Sequence, residues 1–260
     1  MQNLTTIILL NDLDDTYTLK KGLNIAKEDN SSVVVLYVYE KEHFSLKDLF
    51  FFEDKTLDKE AIKNDIQNKI QEYGYDKDVA ILIYEEDSED RILALIKDDK
   101  KYKVIIAYHK DISKRVVSKV DEEILIVKNE LLEYEKIALL VDSPKYDCIK
   151  YYKDKKPTLL YDAYIEYDPA IVDPAVVPDI DLSSNLIDIE KKNFEEIKSK
   201  NGLDGEFFVN GAGLIDYIKD NDFDLSVVCK EIKDIFGLDS IFEEYMDTTK
   251  GDILILEGKK

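Results

Sequence analysis

The sequence has two cysteines and two histidines in 260 residues. Cys148 and Cys229 are scattered and make no disulfide framework, which fits a reducing cytoplasm. Neither lies in an activating motif, and Cys229, at the end of an apolar run, reads as a small buried apolar residue. His43 and His109 have no second ligand at metal spacing, so no histidine-based metal site is expected. No apolar run approaches the roughly 18 residues of a membrane span, and no basic segment with a cleavage site precedes the first strand. Cations are scarce too: 36 Lys and Arg stand against 57 Asp and Glu, a net charge of −21. Residues 1–130 carry 20 and 28 of these, giving −8, and the remainder carries 16 and 29, giving −13. Both halves would repel phosphate backbones and anionic lipid, so neither nucleic acid nor a membrane is an expected partner.

Catalytic motifs are missing as well. There is no Gly-x4-Gly-Lys-Ser/Thr loop and no Gly-x-Ser-x-Gly elbow. Gly211-Ala212-Gly213 lies between a strand and a helix, but Asp216 stands at the third position of a dinucleotide fingerprint, so the segment reads as a tight turn. Carboxylates are too abundant for any pair to stand out. No catalytic residue and no metal ligand is assigned, and the chain is not expected to be an enzyme.

What is present is a repeating pattern. Ile7-Ile8-Leu9-Leu10-Asn11-Asp12 is an apolar run ending on a carboxylate, and it recurs as Ile137-Ala138-Leu139-Leu140-Val141-Asp142. The two aspartates lie 130 positions apart, half of the 260 residues. Leu95-Ile96-Lys97-Asp98-Asp99 before Tyr102-Lys103-Val104-Ile105-Ile106 is echoed by Tyr217-Ile218-Lys219-Asp220-Asn221 before Phe223-Asp224-Leu225-Ser226-Val227. Short Val/Ile/Leu runs alternate with amphipathic stretches, the pattern of a parallel sheet covered on both faces. In the first half, strands are expected at 5–11, 32–39, 79–84, 103–108 and 123–128. Between them Leu19, Leu23 and Ala26, then Ile62, Ile66 and Ile70, mark helix faces. Asp14 or Asp15 is a candidate cap for the first helix and Ser88 for the third. The reading is α/β, two tandem doubly wound parallel-sheet domains over 1–130 and 134–260.

Two connections stand apart. Residues 42–58 hold Phe44, Leu46, Leu49, Phe50, Phe51 and Phe52, more aromatic surface than a loop needs. They either cover a sheet edge or form a surface for a protein partner. Pro169, Pro174 and Pro178 interrupt a long connection in the second half, a further candidate surface.

The strand-Asp run, the βα order and the Asp224-Leu225-Ser226-Val227-Val228 strand together resemble the universal stress protein family in its tandem two-domain form. That resemblance implies a Rossmann-like fold of the adenine-nucleotide alpha-hydrolase type. It also implies that Asp12 and Val38, with Asp142 in the second half, match positions contacting adenosine. Nucleotide-binding members carry Gly-x2-Gly-x9-Gly-Ser after the fourth strand, where backbone amides and a helix N-terminus meet the phosphates. Here the second half has Cys229, Ile232 and Asp239 at the glycine positions, with only Ser240 retained, and the first half has Tyr108 and Asp111. The 14 residues at 109–122 also leave little room for the family's fourth helix.

Two readings follow. The first is a regulatory or protein-interaction module for the stress response, cytoplasmic, using no cofactor. Its two domains would pair internally as a pseudo-dimer through their last strands, as the resemblance implies, with a further homodimer left open. The alternative is an ATP- or AMP-binding protein with weak or no hydrolysis, taking ATP with Mg. Lys114 and Arg115, in the basic stretch with His109, Lys110 and Lys119, would then stand in for the glycine loop.

Overall fold

In the computed structural model the described residues are 4–40, 57–97, 100–142, 148–165, 182–230 and 239–257. The chain divides into two units, Met1–Leu132 and Glu133–Lys260. Phe44, Leu46, Leu49, Phe50, Phe51, Phe52 and the three prolines at 169, 174 and 178 lie outside the described residues.

The first unit runs β1 (Leu4–Leu10), α1 (Thr16–Glu28), β2 (Ser32–Val38), α2 (Lys59–Glu72), β3 (Val79–Tyr84), α3 (Ser88–Leu95), β4 (Lys101–Ala107), α4 (Lys110–Lys119) and β5 (Glu123–Val127). Its strands are parallel and ordered β3-β2-β1-β4-β5, with Ile7 level with Val34 on one side and Val104 on the other. Side chains alternate across a strand, so one face of this sheet carries Ile8, Leu10, Val33, Val35 and Tyr37. They pack with Leu19, Leu23 and Ala26 of α1 and Ile62, Ile66 and Ile70 of α2 in one buried cluster. α1 sits so close to β1 that a Cβ on Gly22 would come within 2.6 Å of Ile8 Cδ1. Gly74, at φ +67°, takes the left-handed conformation that ends α2.

From β3 the chain must return past β1 to reach β4. A right-handed crossover in that direction puts the helices on the opposite face. There α3 and α4 bury Ile92, Ile112, Val116 and Val117. α4 corrects the expectation that the first half has little room for a fourth helix. Ten residues of helix span about 15 Å, close to the rise of one strand, and short links at 108–109 and 120–122 suffice to join α4 to β4 and β5. Ser88 is a second correction. It is the first residue of α3 but makes no capping bond, and it is fully buried.

The second unit runs β6 (Ile137–Val141), α5 (Cys148–Tyr152), a 3-10 turn (Lys153–Lys155), β7 (Thr158–Ala163), α6 (Leu182–Asn201), β8 (Gly205–Val209), α7 (Leu214–Asn221), β9 (Leu225–Lys230), α8 (Asp239–Thr248) and β10 (Asp252–Glu257). Its parallel strands are ordered β8-β7-β6-β9-β10. Counted from the first strand of each unit, both orders read 3-2-1-4-5. Rings of Tyr161, Phe194 and Phe207 pack β7 and β8 against α6, with centroids 5.8 to 6.0 Å apart. Gly211 and Gly213 both have positive φ in the tight turn leading into α7.

The cysteines require the third correction. Cys148 and Cys229 are joined as a disulfide, with their Cα atoms 6.1 Å apart. They are 81 residues apart in sequence, and only the pairing of β6 with β9 brings the two segments together. Cys229 is also fully buried. Among the described residues no helix is long and apolar enough to cross a membrane.

Candidate functional site

In an open parallel sheet the binding crevice lies at the carboxyl ends of the strands, where neighbouring connections leave in opposite directions. In the first unit that point is between β1 and β4. β1 delivers Asn11 and Asp12, β2 delivers Glu40, and β4 delivers His109. α3 and α4 bring Ser88, Glu89, Arg115 and Lys119 to the same place.

These groups bind one another. Asn11 Nδ2 donates to the Val38 carbonyl at 3.0 Å and to Ser88 Oγ at 2.9 Å. The Ser88 amide donates to Glu40 Oε1 at 2.8 Å. Arg115 Nη2 pairs with the other oxygen of Glu40, and Arg115 Nε reaches both oxygens of Glu89 at 3.1 and 3.2 Å. Lys119 Nζ donates to Glu89 Oε1 at 2.8 Å. The Glu40 and Glu89 side chains are 4% and 2% exposed, so these are buried carboxylates matched by cations. Burial opposes the charge on Glu89, yet the bonds from Lys119, its own backbone and Arg115 hold its carboxyl below the usual glutamate range. Burial likewise opposes the Arg115 charge, and Glu40 and Glu89 outweigh it, raising its pKa.

A second group lies beside the first. Asp15 Oδ2 accepts from the amides of Asn11 and Asp12, both at 3.0 Å. Asp15 stands at the N-cap of α1 but makes no side-chain bond to that helix, and neither bond it accepts comes from the helix. His109 Nε2 lies 3.2 Å from each oxygen of Asp15. That hydrogen bond raises the imidazole pKa above 6.5 against partial burial, helped by the charges of Asp15, Asp12 and Glu40. The phenol of Tyr37 is pushed up by burial and by Asp12 and Asp15.

The sequence-selected residues therefore fall as follows. Asp12 is exposed, and its Oδ1 accepts from the Asp14 amide at 2.9 Å. Val38 is buried, with its carbonyl taken by Asn11. Lys114 is half-buried on α4, and Arg115 is the centre of the ion-pair group. Asp142 directly follows β6 in the second unit, half-buried, and Ser240 lies in the first turn of α8. Sequence reasoning missed Asn11, Asp15, Glu40, Ser88 and Glu89. No spacing signal marks Glu40 as the partner of Arg115, 75 positions away. Among the described residues no cluster of His, Cys, Asp and Glu is arranged to hold a metal ion. A hollow of about 950 Å³ in the first unit lies elsewhere, by Thr5, Ser32, Val34 and Ala80, nearer the amino ends of the strands.

In the second unit the equivalent point lies between β6 and β9, where Val141 is level with Cys229. The Cys148–Cys229 bond crosses it. Nearby, Asp162 at the end of β7 accepts from the Gly211 amide at 2.8 Å, and Tyr161 donates to Glu190 Oε2 at 2.5 Å. Burial and Glu190 push the Tyr161 phenol far up.

No protein-family model matches the sequence, and no curated protein is similar to it by sequence. Solved structures are similar in fold. A protein assigned to the universal stress proteins from Pseudomonas aeruginosa UCBPP-PA14 superposes with a TM-score of 0.61 at 14% identity, covering 99% of this chain and 94% of that one. A protein of unknown function from P. aeruginosa PAO1 gives 0.60 at 15%, covering 98% and 92%. A universal stress protein from Archaeoglobus fulgidus gives 0.57 at 11%, covering 98% and 97%. Over nearly its whole length, the chain has the fold of the universal stress proteins.

Proposed function

We propose that the chain is a regulatory or protein-interaction module that works without nucleotide. One observation carries this reading. Arg115 and Lys119, cations at the crevice of the first unit, are matched by the buried carboxylates of Glu40 and Glu89. A triphosphate would have to displace those carboxylates or sit beside them, and either costs charge repulsion in a poorly solvated place. The glycines that would offer backbone amides instead are replaced by Tyr108 and Asp111 here, and by Cys229, Ile232 and Asp239 in the second unit. Asp239 would add an anion beside the phosphates. In this reading no residue is given a catalytic role.

Thermal-shift titration of the full-length protein with Mg-ATP, with AMP as control, tests the reading. The expected result is a flat curve to millimolar nucleotide. Ligand at 100 times its dissociation constant would add about 2.7 kcal/mol and raise Tm by several degrees. A saturable rise of that size would overturn the reading and favour an ATP-binding protein, in which Asp12 and Lys114 would be the first residues to replace.

A further inference from the structure

We propose that Cys148 and Cys229 form a reversible, redox-sensitive clasp across the crevice of the second unit. They are the chain's two cysteines, and the fold brings both to one point. Cys229 lies near the end of β9, level with Val141 at the end of β6, and Cys148 opens α5. The Cα separation of 6.1 Å is one a disulfide spans without backbone movement. The bond therefore ties the segment following β6 to the end of β9, at the carboxyl-end position where such sheets take ligands.

Both oxidation states suit the site. Cys148 is 4% exposed and Cys229 is fully buried, beside Ile149 and Val228 in the chain, which are buried too. Reduced cysteine behaves as a small apolar side chain, so two thiols fit here as well as one disulfide. The oxidant is a low-molecular-weight disulfide. Deprotonated Cys148, the less buried of the two, attacks one of its sulfurs, forming a mixed disulfide and releasing one small thiol. The Cys229 thiolate then displaces the second small thiol as the protein S–S bond forms. Two protein thiols lose two electrons and two protons, and the small disulfide leaves as two thiols. Reduction runs the same steps backwards and releases α5 from β9.

The test uses the full-length protein, equilibrated in glutathione buffers from fully reduced to fully oxidised. Free thiols are counted by maleimide labelling, and the linkage is located by peptide mass spectrometry. Peptide-level hydrogen exchange is followed over α5 and the end of β9 in both states. We expect two labelled thiols when reduced, none when oxidised, and an intramolecular Cys148–Cys229 peptide pair. Oxidation should slow exchange in α5 and β9 several-fold and raise Tm by several degrees. Glutathione should change neither quantity in the Cys148→Ser protein. Should that variant fail to fold, Cys148→Ala and the oxidised-against-reduced comparison of the unaltered chain give the same readout. Two thiols surviving in oxidised glutathione, intermolecular linkage in place of the internal bond, or equal exchange in both states would each overturn the proposal.

Discussion

Replacing Arg115 with alanine should destabilise the first unit more than its partly exposed position suggests. The guanidinium holds two carboxylates whose side chains are 4% and 2% exposed, while its own side chain is 32% exposed. Without it, Glu40 keeps the Ser88 amide, and Glu89 keeps Lys119 and its own backbone, but both lose the guanidinium. Breaking a buried ion pair from one side costs roughly 3–5 kcal/mol, because the remaining charge stays desolvated. Arg115 is a third exposed, and water can enter the space it vacates, so about 2–3 kcal/mol is expected at neutral pH. Lys119→Ala removes a cation that is 48% exposed and should cost clearly less than Arg115→Ala. Urea denaturation followed by far-UV circular dichroism measures the difference, since the chain has no tryptophan. Hydrogen exchange then locates the loss in the first unit.

The pH dependence adds a second check. The Glu89 pKa is depressed in the fold, so its contribution is present above the ordinary glutamate value of 4.5 and is lost as pH falls through the lowered one. The variant lacks part of that contribution, so its deficit should shrink as pH drops below the usual carboxylate range. An Arg115→Ala protein within about 0.5 kcal/mol of the unaltered chain at pH 7 would refute the reasoning. So would a deficit that stays constant in acid.

The His109 pKa is raised by its bond to Asp15, so the stability it lends is full below 6.5 and is lost as pH rises through the folded value. Proton NMR of the two histidines should show one titrating above 6.5 and returning towards it in Asp15→Asn; no such movement would remove the pair from the site. In the segment 42–58, Phe50→Asp with Phe51→Asp should abolish self-association or partner capture while leaving the circular dichroism spectrum intact. An unchanged mass by light scattering together with unchanged capture would dismiss that segment as an interaction surface.

Local chemistry made much of this protein legible. Five- to seven-residue apolar runs rich in Val and Ile fit strands buried between two layers, and the stripes at Leu19-Leu23-Ala26 and Ile62-Ile66-Ile70 fit helix faces against them. Both properties belong to residues close together in the chain, so the α/β class follows from the order of runs and stripes. Likewise the missing glycines could be read directly, because a phosphate loop is a local motif.

Contacts between distant positions could not be read this way. Glu40, Glu89 and Arg115 meet because three connections end at one crevice, and each alone reads as an ordinary surface charge in a sequence rich in them. Cys148 and Cys229 looked scattered because 81 residues separate them, until parallel pairing of β6 and β9 set their segments side by side. Ser88 has the composition of a helix cap, but the space beneath Asn11 and Glu40 claims it instead. Periodicity sets which way a residue faces; which partner it meets depends on strand order, and that was decided only when the whole sheet assembled.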